Sequence, residues 1–180
     1  YKGQMLCSEA LKLQDGVKLF AQKIIANASV KSKDRDEAYL YKGKAELILK
    51  EDSAALNDFR FVKNNSKTEL GAEANYRIAE YYYKNAKNKE SIASLRKLNE
   101  NYASFDYWLG KSFLLISDNY IAMNELFQAK ATIKSVIENS ATKEIVFEAK
   151  QKLLFLEQNG NATGAQTPLV DTLNKIDNEK

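Results

Sequence analysis

Apolar residues recur along this chain three and four positions apart, the spacing of a helix face, and short polar breaks interrupt them at regular intervals. The stretch 39–62, "YLYKGKAELILKEDSAALNDFRFV", overlays 75–98, "NYRIAEYYYKNAKNKESIASLRKL", and 113–136, "FLLISDNYIAMNELFQAKATIKSV". Gly43, Ala79 and Ser117 fall in register, as do Ala55, Ser91 and Ala129, then Phe59, Leu95 and Ile133, then Val62, Leu98 and Val136. The offsets are 36 and 38 residues at every one of these positions. Each unit is two amphipathic stretches joined at a polar break, at 50–52, 85–89 and 123–125. A repeated helical hairpin is the structure this predicts.

Small residues at fixed places have a physical reason. Gly43, Ala79 and Ser117 on the first helix would face Ala55, Ser91 and Ala129 on the second. A bulkier side chain there would push the pair apart, which packed interiors tolerate poorly. A single hairpin cannot bury its apolar face alone, so neighbours must stack. The ends follow the same pattern. Residues 2–29 read as a degenerate hairpin broken at Gln14-Asp15-Gly16, ahead of hairpins over about 34–65, 68–102 and 104–139. Residues 142–157 read as a capping helix with Thr142 as N-cap and Gly160 as its stop. The polar remainder, 158–180, predicts a flexible tail. An alternative there is a short helix opened by Thr167-Pro168, with Leu169, Leu173 and Ile176 on one side.

Composition agrees with a folded helical domain of 180 residues, 44% apolar and 28% charged, with one proline and seven glycines. The net charge is +3, with Lys interleaved among Asp and Glu, which describes a solvated helical surface and points away from nucleic acid. The apolar runs are too short to span a membrane, so no membrane insertion by this segment is expected. The lone Cys7, among Met5, Leu6, Ala10 and Leu11, is expected to be a buried thiol. The chain contains no histidine, which removes the commonest general base and metal ligand. With one cysteine there is no Cys/His zinc site or Cys-His nucleophile, and no glycine-rich phosphate loop follows a strand. No catalytic residue, metal or cofactor is therefore expected.

The repeat resembles the tetratricopeptide (TPR) family. Its pattern is carried by Ile78-Ala79, Tyr82, Ser91 and Leu95, and by Phe113, Ile116-Ser117, Tyr120, Ala129 and Ile133. In the first copy Tyr39, Gly43, Ala55 and Phe59 match, but Glu46 replaces the Tyr. The closing proline is absent (Lys67, Ala103 and Ala141 stand there), and the period exceeds the usual value of about 34 residues. The opening over 72–83 is similar to bacterial cell-envelope TPR proteins of the BamD and Tol-Pal-associated type.

That resemblance implies an all-α, right-handed superhelical solenoid and a non-catalytic scaffold that binds a protein or peptide in its concave groove. It favours the bacterial periplasm or cell envelope over the cytoplasm. Because the chain opens at Tyr1 in mid-pattern, it reads as a piece of a longer TPR protein, the rest of which is a possible partner. Carried over position by position, the groove comprises Lys44, Leu47, Tyr76, Glu80, Tyr83, Lys84, Asp118 and Ile121, with Leu40, Ile48, Leu114 and Ala122 beside them. Among the tyrosines, Tyr82 takes the core position within its repeat, Tyr76 and Tyr83 point to the groove, and Tyr81 turns to a neighbouring hairpin. Packing between helices is the alternative for Tyr76 and Tyr83. Trp108 is expected in the core between the second and third repeats, with Phe105 and Leu109. The alternative to a binding scaffold is a structural spacer or oligomerisation segment of a larger envelope protein.

Overall fold

The polar breaks become three-residue turns. A computed structural model describes residues 1–159, and among these it shows nine α-helices and no strand. In chain order they are α1 (Lys2–Ala10), α2 (Gln14–Ile25), α3 (Ser32–Ile48), α4 (Asp52–Asn65), α5 (Glu69–Lys84), α6 (Asn88–Asn101), α7 (Asp106–Ala122), α8 (Leu126–Asn139) and α9 (Lys143–Asn159). Helices α3 to α8 cover the three repeated stretches as successive pairs, with α1 and α2 before them and α9 after. The expected tail, with Leu169, Leu173 and Ile176, lies outside the described residues, apart from its first two positions, which end α9.

All four hairpins turn in the same way. Lys12, Lys50, Ala86 and Asn124 each adopt positive φ, at 57, 65, 56 and 60°. After α3, the Lys50 amide donates to the Leu47 carbonyl and the Glu51 amide to the Glu46 carbonyl. The same pair of bonds recurs at Lys12 and Leu13, at Ala86 and Lys87, and at Asn124 and Glu125. This is the Schellman closure, which satisfies the last carbonyls of the first helix while reversing the chain. Gln14-Asp15-Gly16 is not the first turn as expected, because Lys12 makes it one turn earlier. Gly16 lies inside α2, where an added Cβ would meet the Ser8 hydroxyl at 2.7 Å. It serves close approach of α1 and α2.

The small-residue positions do the same inside the later hairpins. At Gly43 an added Cβ would lie 2.8 Å from Cε1 of Phe59, so the ring occupies the space that glycine vacates. Ser91 on α6 donates its hydroxyl to the Ala79 carbonyl on α5 at 2.9 Å. Gly43, Ala79, Ser117, Ala55, Ser91 and Ala129 are all buried.

Consecutive helices pack against one another throughout, and α1, α3, α5, α7 and α9 also adjoin in succession. The core runs along this stack as four linked clusters, one centred on Phe59, one on Leu95 and Trp108, one on Ile133 and Ile145, and one on Met5 and Val17. Trp108 is buried between the α5–α6 and α7–α8 hairpins, with Phe105 packed beside it, as the sequence predicts. Cys7, expected in the core, is exposed. On the short helix α1, Met5 and Ser8 take the inward positions, and Cys7 falls between them on the other face.

Candidate functional site

Helix spacing builds a charged strip along α3 and α5. Lys44 reaches Glu73 at 3.4 Å across the two helices, and its ammonium lies 4.8 Å from the Tyr41 ring centre. Within α5, Arg77 bridges Glu73 and Glu80 at 3.2 Å each, and Lys84 meets Glu80 at 3.5 Å. These are the i,i+3 and i,i+4 separations that bring helix side chains together. The strip continues on α7 and α9, where Lys152 pairs with Asp118 at 2.9 Å and Lys111 with Glu148 at 3.1 Å. Burial raises the Asp118 carboxyl, and the adjacent Lys152 ammonium opposes that shift only in part. Tyr83, half-buried against the same region, is pushed up to about 12 by burial and then by the Asp118 charge. The Lys84–Glu80 pair, with Lys84 exposed, contributes about 0–1 kcal/mol, so it orders side chains more than it stabilises the fold.

The residues expected in a groove separate into two groups. Lys44, Glu80, Lys84 and Asp118 join the strip, with Tyr83 beside it. Leu47 is half-buried against the α3–α4 core, and Ile121 is buried with Ala129 and Ile133. Tyr76 is core: it is 8% exposed, and its ring centre sits 5.4 Å from that of Trp108. An exposed groove position for Tyr76 is therefore corrected. The start of α7 delivers Trp108 onto this part of α5, and the ring is sandwiched between hairpins. Tyr82 is likewise not the fully buried residue expected; Tyr81 and Tyr82 are both half-buried against the preceding α3–α4 hairpin. Arg77, Glu73 and Lys152 are strip residues that the sequence reading missed. The spacing of Glu73, Arg77 and Glu80 carried the signal for two of them, whereas the meeting of Lys152 with Asp118 depends on how α9 docks.

A second charge cluster lies inside the α3–α4 hairpin. Lys42 donates to Asp58 at 2.7 Å and pairs with Glu46 at 2.8 Å, and both carboxylates are buried. Glu46, at the place where the repeat pattern has tyrosine, thus shares the Lys42 ammonium with Asp58. Burial pushes Asp58 up to about 6 against the opposing effect of Lys42. A shifted carboxylate beside a cleft would suggest acid–base chemistry. A cavity of about 120 Å³ lies between α7 and α8, lined by Leu109, Gly110, Phe113, Val136 and Asn139 among others, and neither Asp58 nor Asp118 borders it. Among the described residues no group of three or more acidic or cysteine side chains is placed to hold a metal ion, and no helix is long and apolar enough to cross a membrane.

No protein-family model matches the chain, and neither a curated protein nor a solved structure matches it.

Proposed function

We propose that this chain is a non-catalytic helical-repeat scaffold of tetratricopeptide type, a right-handed solenoid that engages a protein or peptide along its odd-numbered helices. The observation that carries the reading is the strip from Lys44 through Glu73, Arg77 and Glu80 to Lys84, held on helices that adjoin in succession. Four hairpins closed by the same turn support the repeat character. With Tyr76 in the core, recognition is polar: alternating charges set the register of a partner of mixed charge, and the half-buried Tyr83 provides an apolar contact at its edge. In situ cross-linking, with the captured protein identified from the native source, tests this against an Arg77→Glu/Glu80→Arg variant that keeps the helix pair but reverses its polarity. Loss of the captured partner with the fold intact is the expected result. Capture at full strength would remove the strip as the binding surface.

A spacer or oligomerisation segment is the second reading, and one observation favours it: the strip's charges are already paired with one another. A spacer predicts no partner dependent on Arg77 and Glu80, so the same experiment separates the two. Small-angle scattering in solution tests the solenoid shape on which both depend.

A further inference from the structure

One tyrosine of the repeat shows what a gap in the next repeat is shaped to hold. Just after α6, Tyr102 is 2% exposed and packs with Ala72 and Leu98. Its hydroxyl donates to the Lys63 and Ser66 carbonyls at 3.0 Å each. Gly71 makes room for the ring, since an added Cβ would lie 2.6 Å from the hydroxyl oxygen. The preceding unit ties the same place by other means. There Arg35, thirty-six positions before Gly71, donates to the carbonyl of Asn27, the counterpart of Lys63, at 3.3 Å. Thirty-eight positions after Tyr102 stands Ser140, whose hydroxyl accepts from the Thr142 amide of its own turn. Gly71, Ala72 and Leu98 become Leu109, Gly110 and Val136. These three, with Phe113, Ser140 and Ala141, line the cavity of about 120 Å³. Even with Leu109 in the place of Gly71, a gap is left where the ring would stand.

The size of the gap agrees with a single ring, because apolar cavities of about 150 Å³ hold benzene. Its surroundings add a second constraint. Ser140 and Ala141 also line an adjoining cavity of about 300 Å³, together with Lys143, Phe147 and Lys150. Among the described residues neither lysine is in an ion pair, so each can meet a carboxylate from outside. We propose that the α7–α8 cavity is a socket for one aromatic side chain, tyrosine or phenylalanine, of a partner peptide that carries an acidic residue beside it. The ring takes the place that Tyr102 fills one repeat earlier, with the partly exposed Phe113 at its edge. The acidic neighbour reaches Lys143 and Lys150 over the second cavity. Asp106, which lines the first, repels a carboxylate there and so fixes the direction of the peptide. None of these residues belongs to the charged strip, so the inference stands without that reading.

Methyl-resolved NMR of the full chain tests it, with an N-acetylated Tyr-Glu-Glu peptide amide as the probe. Its addition should shift the Leu109 and Val136 methyl signals. Exchanging its tyrosine for alanine should weaken binding at least tenfold, and exchanging both glutamates for lysine at least threefold. Ser140→Tyr should supply the ring from within and abolish binding. Lys143→Glu with Lys150→Glu, both surface changes, should reverse the preference between the glutamate and lysine peptides. Methyl signals unmoved at millimolar peptide would overturn the proposal, as would binding blind to the peptide's charge. Binding that survives Ser140→Tyr would overturn it by placing the peptide elsewhere. Equal binding of p-cresol, the tyrosine side chain by itself, would do so in favour of a free aromatic molecule. Shifts that grow with protein concentration alone and vanish with Phe127→Ser would make the exposed Phe127 of a second copy the occupant, again overturning it.

Discussion

Replacing Tyr76 by alanine separates a core role from a surface role at one position. The ring is almost fully buried among Ala72, Ala79, Leu95, Leu98, Trp108, Leu115 and Ile116, and its hydroxyl is held well above its usual pKa by that burial. Truncating a large buried aromatic costs about 3–5 kcal/mol, the lost transfer energy plus the cavity left behind. At this chain length about 1 kcal/mol shifts the midpoint by roughly 2–4 °C, so Tyr76→Ala should melt roughly 6–20 °C lower. The half-buried Tyr83 should lose only about 1–2 kcal/mol on the same change. Stacked repeats need not unfold in one step, so a local probe is needed. Trp108 is the only tryptophan and touches the Tyr76 ring, so its fluorescence in urea reports on this junction directly. A loss under about 1 kcal/mol, with the Trp108 signal unmoved, would refute the packing argument and return Tyr76 to an exposed groove.

Three further outcomes are expected. Gly43→Ala should destabilise by about 1–3 kcal/mol in thermal melts, because the new methyl meets the Phe59 ring at 2.8 Å, and Phe59→Leu in the same chain should recover part of the loss. Asn124→Gly and Ala86→Gly should each leave stability unchanged or raise it by up to about 1 kcal/mol, since both residues hold positive φ that glycine adopts freely; a loss above about 1 kcal/mol would argue against the turn geometry. Asp58 has a folded pKa of about 6, above its unfolded value of 3.8, so the folded chain binds the extra proton. Its contribution to stability is therefore present at low pH and lost as pH rises through about 6. Denaturant melts from pH 4 to 7 should show wild type gaining on Asp58→Asn toward the acid end, with Lys42 and Glu46 as the charges that face it; the opposite trend would refute the assignment.

The repeat itself was legible because its signals are local. Gly43, Ala79 and Ser117 recur at fixed offsets, and packing demands small residues wherever two helices meet closely. The turns were legible as breaks but not as geometry. Lys12, Lys50 and Ala86 carry no sign of positive φ, which the two flanking helices impose on them. Tyr76 was misplaced because helix periodicity divides α5 into faces without saying which face the next hairpin covers; the arrival of Trp108 is a tertiary event. The strip was half legible. Its i,i+4 members are written in the sequence, whereas Lys44 to Glu73 and Lys152 to Asp118 depend on which helices become neighbours.

The Ser91 hydroxyl has a consequence for how such a chain can change over time. It donates to the Ala79 carbonyl of α5 while accepting from the Asn119 amide of α7, so one buried oxygen ties three helices from two hairpins. The equivalent positions on α4 and α8 are Ala55 and Ala129, which have no such hydroxyl. The units are therefore not interchangeable parts. Duplicating or reordering the α7–α8 unit would set Asn119 against an alanine and leave a buried amide donor without its Ser91 acceptor, a penalty of about 1–3 kcal/mol.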